Sequence, residues 1–364
     1  MAIESGYGGR GRPAGKIHPG GLMKEGWGNM VLYLVIPCYN EEEVLPLTAK
    51  AVREKMEALL ACGAISPESR VLFVDDGSKD KTWQQLEELS KGDPLFSALK
   101  LSHNVGHQNA LLAGLMMAKD CCDAAVSMDA DLQDDMDAID GFLQKYAEGC
   151  DVVYGVRNKR DTDTRFKRTS ALAFYKFMGA MGVESVYNHA DYRLMSRRAL
   201  EALAEYKEVN LFLRGIVPLI GYRSDYVYYD RKERAAGQSK YPLRKMLNFA
   251  EEGITSFSVK PLRIISAFGI VIAGLSVFGL LYSLISKLTG NAVSGWTAIV
   301  ASIWLLGGIQ LLCIGVCGEY IGKIYSEVKA RPRYHVETLL HRPGVFCPDS
   351  APPEEASAGP QAEP

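Results

Sequence analysis

The feature that most constrains the fold is an alternation of short apolar runs with amphipathic stretches between residues 31 and 128. Each apolar run has the length and continuous hydrophobicity of a strand that is buried on both faces. The runs lie at 31–36, 71–74, 98–101 and 124–128. Helical patterns separate them, at about 43–60, from about 80, and at about 106–118. This βαβαβαβ order predicts an α/β fold with a mostly parallel sheet and helices on both faces.

Polar clusters follow the carboxyl ends of these predicted strands. The clusters are residues 39–41, 75–78, 103–106 and 129–133. In an open parallel sheet, ligands bind in the crevice outside the carboxyl ends of the strands. We therefore expect these four clusters to surround one crevice.

Asp129 and Asp131 end the fourth predicted strand. Two carboxylates separated by one residue on an extended segment point the same way, so both can address one hard cation. Gln133 continues the two-residue period and can add a neutral oxygen. Such aspartate pairs also occur on solvated loops, but the position at a strand end favours a metal site. We predict Asp129, Asp131 and Gln133 as ligands of Mg²⁺ or Mn²⁺.

Two common functions of α/β sheets lack their sequence signals. No GxGxxG motif follows the first strand and no Walker sequence is present, which argues against dinucleotide binding and a P-loop. The formal net charge is -2, and no nucleic acid is expected as a partner.

The chain changes character after Pro261. Residues 264–285 and 296–317 are each about 22 residues long and nearly free of charge, enough to cross a hydrocarbon core of ~30 Å. Lysines and arginines flank the pair on both outer sides. The positive-inside rule then predicts a cell-membrane protein with two spans, its α/β domain and both termini lying in the cytoplasm. A buried helical pair is the less favoured alternative.

The predicted organisation has five parts. They are a flexible tail at 1–29, the α/β domain at 30–240, interfacial amphipathic helices at 241–261, two transmembrane helices within 262–322, and a cytoplasmic tail at 323–364 that is disordered from about 343. A core-facing helix is nearly as good an interpretation of 241–261. Small residues in the first span, at Gly269, Gly274 and Gly279, offer a surface for a homo-oligomer.

Seven motifs follow one another in a single order along residues 30–335. They are 37–41 (PCYNE), 74–78 (VDDGS), 104–108 (NVGHQ), 129–133 (DADLQ), 155–157 (GVR), 191–194 (DYRL) and 233–241 (ERAAGQSKY). In these motifs the chain resembles family 2 glycosyltransferases of the polyprenyl-phosphate branch, which includes bactoprenol glucosyltransferases and dolichol-phosphate mannose synthases. The resemblance implies a Rossmann-like GT-A fold. It also implies an inverting transfer of a sugar from a nucleotide sugar to a polyprenyl (undecaprenyl) phosphate at the membrane.

The resemblance also implies roles for individual residues. Those implied for the nucleotide sugar are Pro37, Tyr39, Glu41, Val74, Asp76, Asp129, Ala130, Asp131, Arg234 and Lys240. For the acceptor phosphate we predict Arg157, Arg160 and Arg168, which belong to a basic stretch just beyond the predicted strand 151–154, and Ser239 in the last motif. Those implied for catalysis are Asp129, Asp131, Arg157 and Asp191. For Asp191, a structural ion pair with Arg193 is an equally good interpretation.

Two rival functions use the same fold. A processive polysaccharide synthase usually carries a Gln-x-x-Arg-Trp motif, and none of the four Trp residues here follows an Arg. A non-enzymatic membrane scaffold or flippase subunit should have lost some of the motifs, which are intact. The sugar itself is not encoded in these motifs. The resemblance favours a UDP-sugar, with glucose as the first choice.

Overall fold

The computed structural model describes residues 30–157, 189–209, 211–230, 262–265, 267, 269, 271, 278 and 296–340. Its strands are β1 Leu32–Cys38, β2 Arg70–Asp75, β3 Phe96–Leu101, β4 Ala124–Ser127, β5 Val152–Arg157, β6 His189–Ser196, β7 Ser224–Tyr229 and β8 Val336–Leu340. Its helices with continuous bounds are α1 Leu45–Ala61, α2 Thr82–Gly92, α3 His107–Lys119, α4 Ala138–Ala147, α5 Arg197–Glu205, α6 Leu213–Leu219 and α7 Trp296–Lys329. The predicted α/β fold is confirmed.

The eight strands form one mixed sheet in the order β7-β5-β6-β4-β1-β2-β3-β8. The four strands predicted from the apolar runs, β1 to β4, pair in parallel. β6 is inserted antiparallel between β4 and β5, and β7 runs parallel to β5. The strand order reverses beside β1, because β2 lies on one side of β1 and β4 on the other. Such a switch point is where open α/β sheets bind ligands.

Both faces of the central strands are covered by helices. In β1, Leu34 and Ile36 face a core with residues of α1 and α4, whereas Tyr33 and Val35 face α3 and α5. Every residue of β1 is buried, which explains its unbroken apolar sequence. At the end of β6, Ser196 caps α5 by accepting a hydrogen bond from the Ala199 N–H at 3.2 Å.

The C-terminal part of the chain returns to the sheet through β8, a strand that was not predicted from the sequence. β8 pairs antiparallel with β3, and Lys100 forms an ion pair with Glu337 at 2.8 Å. The preceding segment is also attached, because Arg333 donates to the Tyr206 carbonyl at 3.1 Å. β8 is a short edge strand whose side chains are largely exposed, so it lacks the apolar run by which the other strands were recognised.

The predicted transmembrane hairpin is wrong, and so is the predicted two-span membrane localisation. Within the ranges given above, no helix combines the length and the hydropathy that crossing a membrane requires. The second predicted span, 296–317, does not end at residue 317, because α7 continues to Lys329 as one helix of 34 residues. That continuation contains Glu319, Lys323 and Glu327. The hydropathy pattern had isolated one apolar part of a longer, partly charged helix.

Several predicted segments lie wholly or largely outside the described residues. They are the tail at 1–29, the amphipathic helices at 241–261, most of the first predicted span at 264–285, and the tail beyond residue 340.

Candidate active site

A cavity of about 1270 Å³ opens at the carboxyl ends of β1, β2 and β4, beside the switch point. Residues from all four predicted polar clusters line this cavity. The cluster 103–106 contributes Asn104 and Gly106. The predicted crevice therefore exists where parallel-strand geometry places it. Asp191 and Arg214 complete the wall on the side away from β2.

The loops after β1 and β2 are joined by hydrogen bonds and form one end of the cavity. The Asn40 N–H donates to Ser78 Oγ at 3.0 Å, and the Lys79 N–H donates to Asn40 Oδ1 at 2.8 Å. Glu41 N–H donates to Thr82 Oγ1 at 2.9 Å. Asn40 adopts a φ of 52°, a left-handed conformation that Asn tolerates better than most residues. This fixed pair of loops presents the exposed ring of Tyr39 to the cavity, where a flat base could stack.

Asp76 joins the β2 loop to the start of α3. Its carboxylate accepts hydrogen bonds from the N–H groups of Val105 at 2.7 Å and Gly106 at 3.0 Å. Burial raises the pKa of Asp76, while these two hydrogen bonds oppose the rise. Asp76 also lines the cavity, so the side chain predicted to bind the nucleotide has a structural task as well.

Gly77 provides a test of how tightly these loops pack. It has a φ of 67°, and a Cβ added there would lie 2.7 Å from backbone atoms of both His103 and Asn104. We expect Gly77→Ala to lower the free energy of unfolding by about 2–5 kcal/mol, through the left-handed backbone and the overpacking together. Urea denaturation would measure the change.

Gly63→Ala is the matched control for this substitution. Gly63 has a similar φ of 68°, but no described atom lies within 4 Å of an added Cβ. Gly63→Ala should lower the free energy of unfolding only through the left-handed backbone conformation, by about 1–2 kcal/mol. Equal losses at both positions would contradict the close packing of the Gly77 loop.

The Asp129–Asp131 segment is held in a defined conformation just beyond β4. Thr48 Oγ1 donates to the Ala130 carbonyl at 2.6 Å, and the Gln133 N–H donates to Asp131 Oδ1 at 3.2 Å. Leu132, between them, has a φ of 55°. A bulky residue in this left-handed region costs about 1–3 kcal/mol, and such strain is concentrated at functional sites.

Negative charge accumulates around Asp129. The pKa of Asp129 is raised to about 6, first by burial and then by the carboxylates of Asp134, Asp191 and Asp131, while His107 opposes the rise. A cation between Asp129 and Asp131 would relieve this repulsion, and the oxygen donors suit Mg²⁺ or Mn²⁺. The residues therefore fit the predicted ion.

The protein would supply only a few of the metal ligands at such a site. In the portion of the chain that the structure describes, no three or more His, Cys, Asp or Glu side chains are grouped as a complete metal site. Two carboxylates suffice for Mg²⁺ when substrate phosphates supply further ligands. Gln133, the third predicted ligand, is only 6% exposed and lies outside the cavity lining.

Asp191 is the centre of a buried charge cluster. Its Oδ1 accepts from Arg193 Nη2 at 2.7 Å, and Arg214 approaches it with Nε at 3.3 Å and Nη2 at 3.1 Å. His107 Nε2 lies 3.7 Å from Asp191 and 3.6 Å from Asp129. Burial alone would raise the pKa of Asp191, but the guanidinium groups of Arg214 and Arg193 hold it well below its usual range. The ion pair with Arg193 that the sequence allowed is present.

Arg157, predicted for the acceptor phosphate, ends β5 and already has protein partners. Its Nε donates to the Tyr229 hydroxyl and its Nη2 to Asp134, both at 3.2 Å. Tyr229 in turn donates to the same Asp134 oxygen at 2.5 Å. Arg157 lies outside the lining of the cavity.

The other predicted site residues fall into three groups. Pro37, Tyr39, Glu41, Asp76, Asp129, Ala130, Asp131 and Asp191 line the cavity. Val74 is fully buried in the core on the α3 face of the sheet, so its side chain is unavailable to a ligand. Arg160, Arg168, Arg234, Ser239 and Lys240 lie outside the described residues.

Three residues that line the cavity, His107, Gln108 and Arg214, were given no role from the sequence. His107 and Gln108 belonged to a recognised motif. The signal for Arg214 was a single arginine inside the apolar run 211–217. A lone charge at such a position has to find a partner or a ligand.

Several known proteins are similar to this chain. The profile of glycosyl transferase family 2 matches residues 33–204. The uncharacterized glycosyltransferase YkoT of Bacillus subtilis (strain 168) is 53% identical over 311 residues, which cover 85% of this chain and 92% of that protein. The SfII prophage-derived bactoprenol glucosyl transferase of Shigella flexneri is 42% identical over 311 residues, covering 85% and 98%. Among solved structures, mannosyl-3-phosphoglycerate synthase from Rubrobacter xylanophilus aligns with a TM-score of 0.42 at 16% identity, covering 66% of this chain and 75% of that one.

Proposed function

The chain belongs to glycosyl transferase family 2, and from that premise we propose that it transfers glucose from UDP-glucose to a polyprenyl phosphate with inversion. The activity class, glycosyl transfer, follows from the family. The choice of glucose and of a polyprenyl carrier is supported by the similarity to the bactoprenol glucosyl transferase. The structural observation that supports it most is one cavity with paired carboxylates at its centre and a guanidinium beside them.

The donor would occupy the end of the cavity formed by the β1 and β2 loops. Tyr39 offers a ring for the base, and Asp76 lines the same cavity just after the end of the neighbouring strand β2. The diphosphate would then reach Asp129 and Asp131. A divalent ion held there would act as a Lewis acid on the departing nucleoside diphosphate.

The acceptor needs positioning more than activation. A phosphate monoester is mostly dianionic at neutral pH, because its second pKa is about 6, so one of its oxygens is already a nucleophile. That oxygen would attack the anomeric carbon while the bond to the diphosphate oxygen breaks on the opposite face. The protein has to hold the phosphate near a carboxylate-rich centre, which requires cationic side chains on the acceptor side. The residues that the sequence suggests for this task are Arg157, Arg160, Arg168 and Ser239.

The test is a transfer assay with the full-length protein. It combines undecaprenyl phosphate dispersed in detergent, Mg²⁺ or Mn²⁺, and separately UDP-glucose, UDP-galactose, UDP-N-acetylglucosamine and a GDP-sugar. We expect a lipid product whose mass corresponds to one hexose, formed from UDP-glucose. Transfer from another donor only would overturn the assignment of glucose. Products with several sugars would favour a processive synthase, and an absence of product from all donors would contradict the acceptor.

A further inference from the structure

Arg214 occupies a fixed position in the cavity wall. It is the second residue of α6, whose first N–H, that of Leu213, donates to Gln108 Oε1 on α3 at 3.0 Å. The Leu213 carbonyl also accepts from Arg193 Nη1 at 3.4 Å. The Arg214 side chain remains 34% exposed, toward the cavity. Its backbone is thus held to the sheet and α3 while its guanidinium stays accessible.

The guanidinium of Arg214 retains capacity for a ligand. Its hydrogen bonds within the described part of the chain go to Asp191, through Nε and Nη2. This arrangement leaves the two N–H groups of Nη1 for another acceptor. Asp191 is also paired with Arg193, so two guanidinium groups share one carboxylate, and the charge of Arg214 is only partly matched by Asp191. An oriented guanidinium with free donors suits phosphate oxygens.

The strand order separates Arg214 from the donor end of the cavity. The loops that carry Tyr39 and Lys79 follow β1 and β2, whereas Asp191 lies on β6, on the other side of β4. The Asp129–Asp131 segment follows β4 and therefore lies between them. A donor that reaches from Tyr39 to these aspartates would end with its sugar pointing toward Arg214. The group that meets the sugar there is the acceptor.

Two apolar residues that precede Arg214 closely in the chain also line the cavity. Leu211 and Phe212 are half-buried, and like Arg214 they line the cavity. A ligand that joins a phosphate to a hydrocarbon chain could place the phosphate at Arg214 and the chain at these apolar side chains. The diphosphate of a nucleotide sugar has no such chain.

We propose that Arg214 binds the phosphate of the polyprenyl phosphate acceptor, with Leu211 and Phe212 next to the beginning of its hydrocarbon chain. This inference rests on the function proposed above and adds a substrate-binding residue to it. Asp191 acts through Arg214 as a positioning residue, because its bidentate contact sets the direction of the guanidinium.

The test compares acceptor and donor binding in Arg214→Gln and Arg214→Lys. We expect Arg214→Gln to raise KM for undecaprenyl phosphate about 10- to 100-fold, the range of a lost charge-assisted phosphate contact. The dissociation constant of UDP with Mn²⁺, measured by calorimetry without acceptor, should change less than about 2-fold. Arg214→Lys should recover part of the loss, because it keeps the charge but not the fork. Asp191 keeps its bond to Arg193 in both variants, so the fold should be retained.

Arg198→Gln is the control. Arg198 is 63% exposed and pairs with Asp151 beyond the end of β6 that is opposite to Asp191, so both constants should stay unchanged. Weakened UDP binding with an unchanged acceptor KM would overturn the inference in favour of a donor phosphate contact. An unchanged acceptor KM in Arg214→Gln would overturn it outright. The unsubstituted protein tests the proposed function separately. If it forms the glycosylated lipid, the proposed function stands even when the role of Arg214 is overturned. If it forms no product, the proposed function itself is contradicted.

Discussion

Asp131→Asn is expected to reduce the rate of glycosyl transfer by about 10³-fold, equivalent to roughly 4 kcal/mol of transition-state stabilisation. The amide has nearly the same shape and can still accept the hydrogen bond from the Gln133 N–H, seen at 3.2 Å. The loop should therefore keep its conformation while losing the negative charge that a divalent ion requires. Initial rates with UDP-glucose, undecaprenyl phosphate and saturating Mn²⁺ would measure the effect.

Asp137→Asn makes the same chemical change six residues further along the chain. Asp137 is 65% exposed, and its ion pair with Lys55 is long, at 3.5 Å. Lys55 keeps its closer partner Asp140 at 2.8 Å, so the rate and the melting temperature should be almost unchanged. If Asp131→Asn kept the rate of the Asp137→Asn control, the assignment of Asp131 to the metal and diphosphate would be refuted.

The largest effect on stability is expected from Asp191→Ala. The side chain of Arg193 is 0% exposed and lies 2.7 Å from Asp191. Its Nε has no hydrogen-bond partner among the described residues even with the aspartate present. Removing one partner of a buried ion pair leaves the other charge uncompensated, which costs about 3–5 kcal/mol. Urea denaturation of the unsubstituted and substituted proteins would give the difference.

Two further variants test whether the unpaired charge of Arg193 causes this loss of stability. Arg193→Met in the Asp191→Ala background should recover part of the stability, because the unpaired charge is removed. Asp191→Asn keeps the shape and should cost less. Since the folded pKa of Asp191 is depressed, its contribution is complete above the unfolded pKa of about 3.9 and is lost as pH falls below it. The deficit of Asp191→Asn should therefore be constant from pH 5 to 8 and shrink in acid. A deficit that grew in acid would contradict the ion-pair explanation.

The central strands and the polar clusters at their ends could be predicted because each depends on neighbouring residues. A strand buried on both faces needs a continuous apolar run, and β1, β2 and β4 have one. Parallel pairing then brings the residues after these strands together without further information. Asp76, Asp129 and Asp131 line a single cavity for this reason.

The contacts of the arginines could not be predicted in the same way. Arg157 contacts Tyr229 and Asp134 because β7 pairs with β5 and because Asp134 lies in the segment between β4 and α4. Arg214 meets Asp191 because β6 is inserted between β4 and β5. These pairings join residues that are distant along the chain, so no periodicity records them. The ion pair between Asp191 and Arg193 was open to prediction, since both lie on one strand two residues apart.

The C-terminal segment shows the same division. An apolar run was recognised correctly in 296–317, but hydropathy does not reveal how far its helix extends or which element comes next. The structure continues that helix to Lys329 and then adds β8 to the sheet beside β3. On the way, Glu327 accepts a hydrogen bond from the Val209 N–H at 2.8 Å, close to the loop that carries Leu211 and Phe212.

The sequence by itself determined the α/β class, the parallel centre of the sheet and the paired aspartates at the end of β4, because local periodicity and parallel-strand geometry are enough for these. Only the tertiary structure decided which cation faces those aspartates. Arg157 is hydrogen-bonded to Asp134 and Tyr229 and lies outside the cavity lining, whereas Arg214 lines the cavity and keeps the N–H groups of Nη1 for a ligand. The physical reason is that a charge becomes a ligand-binding group or a structural partner according to its neighbours in space, and strand order sets those neighbours.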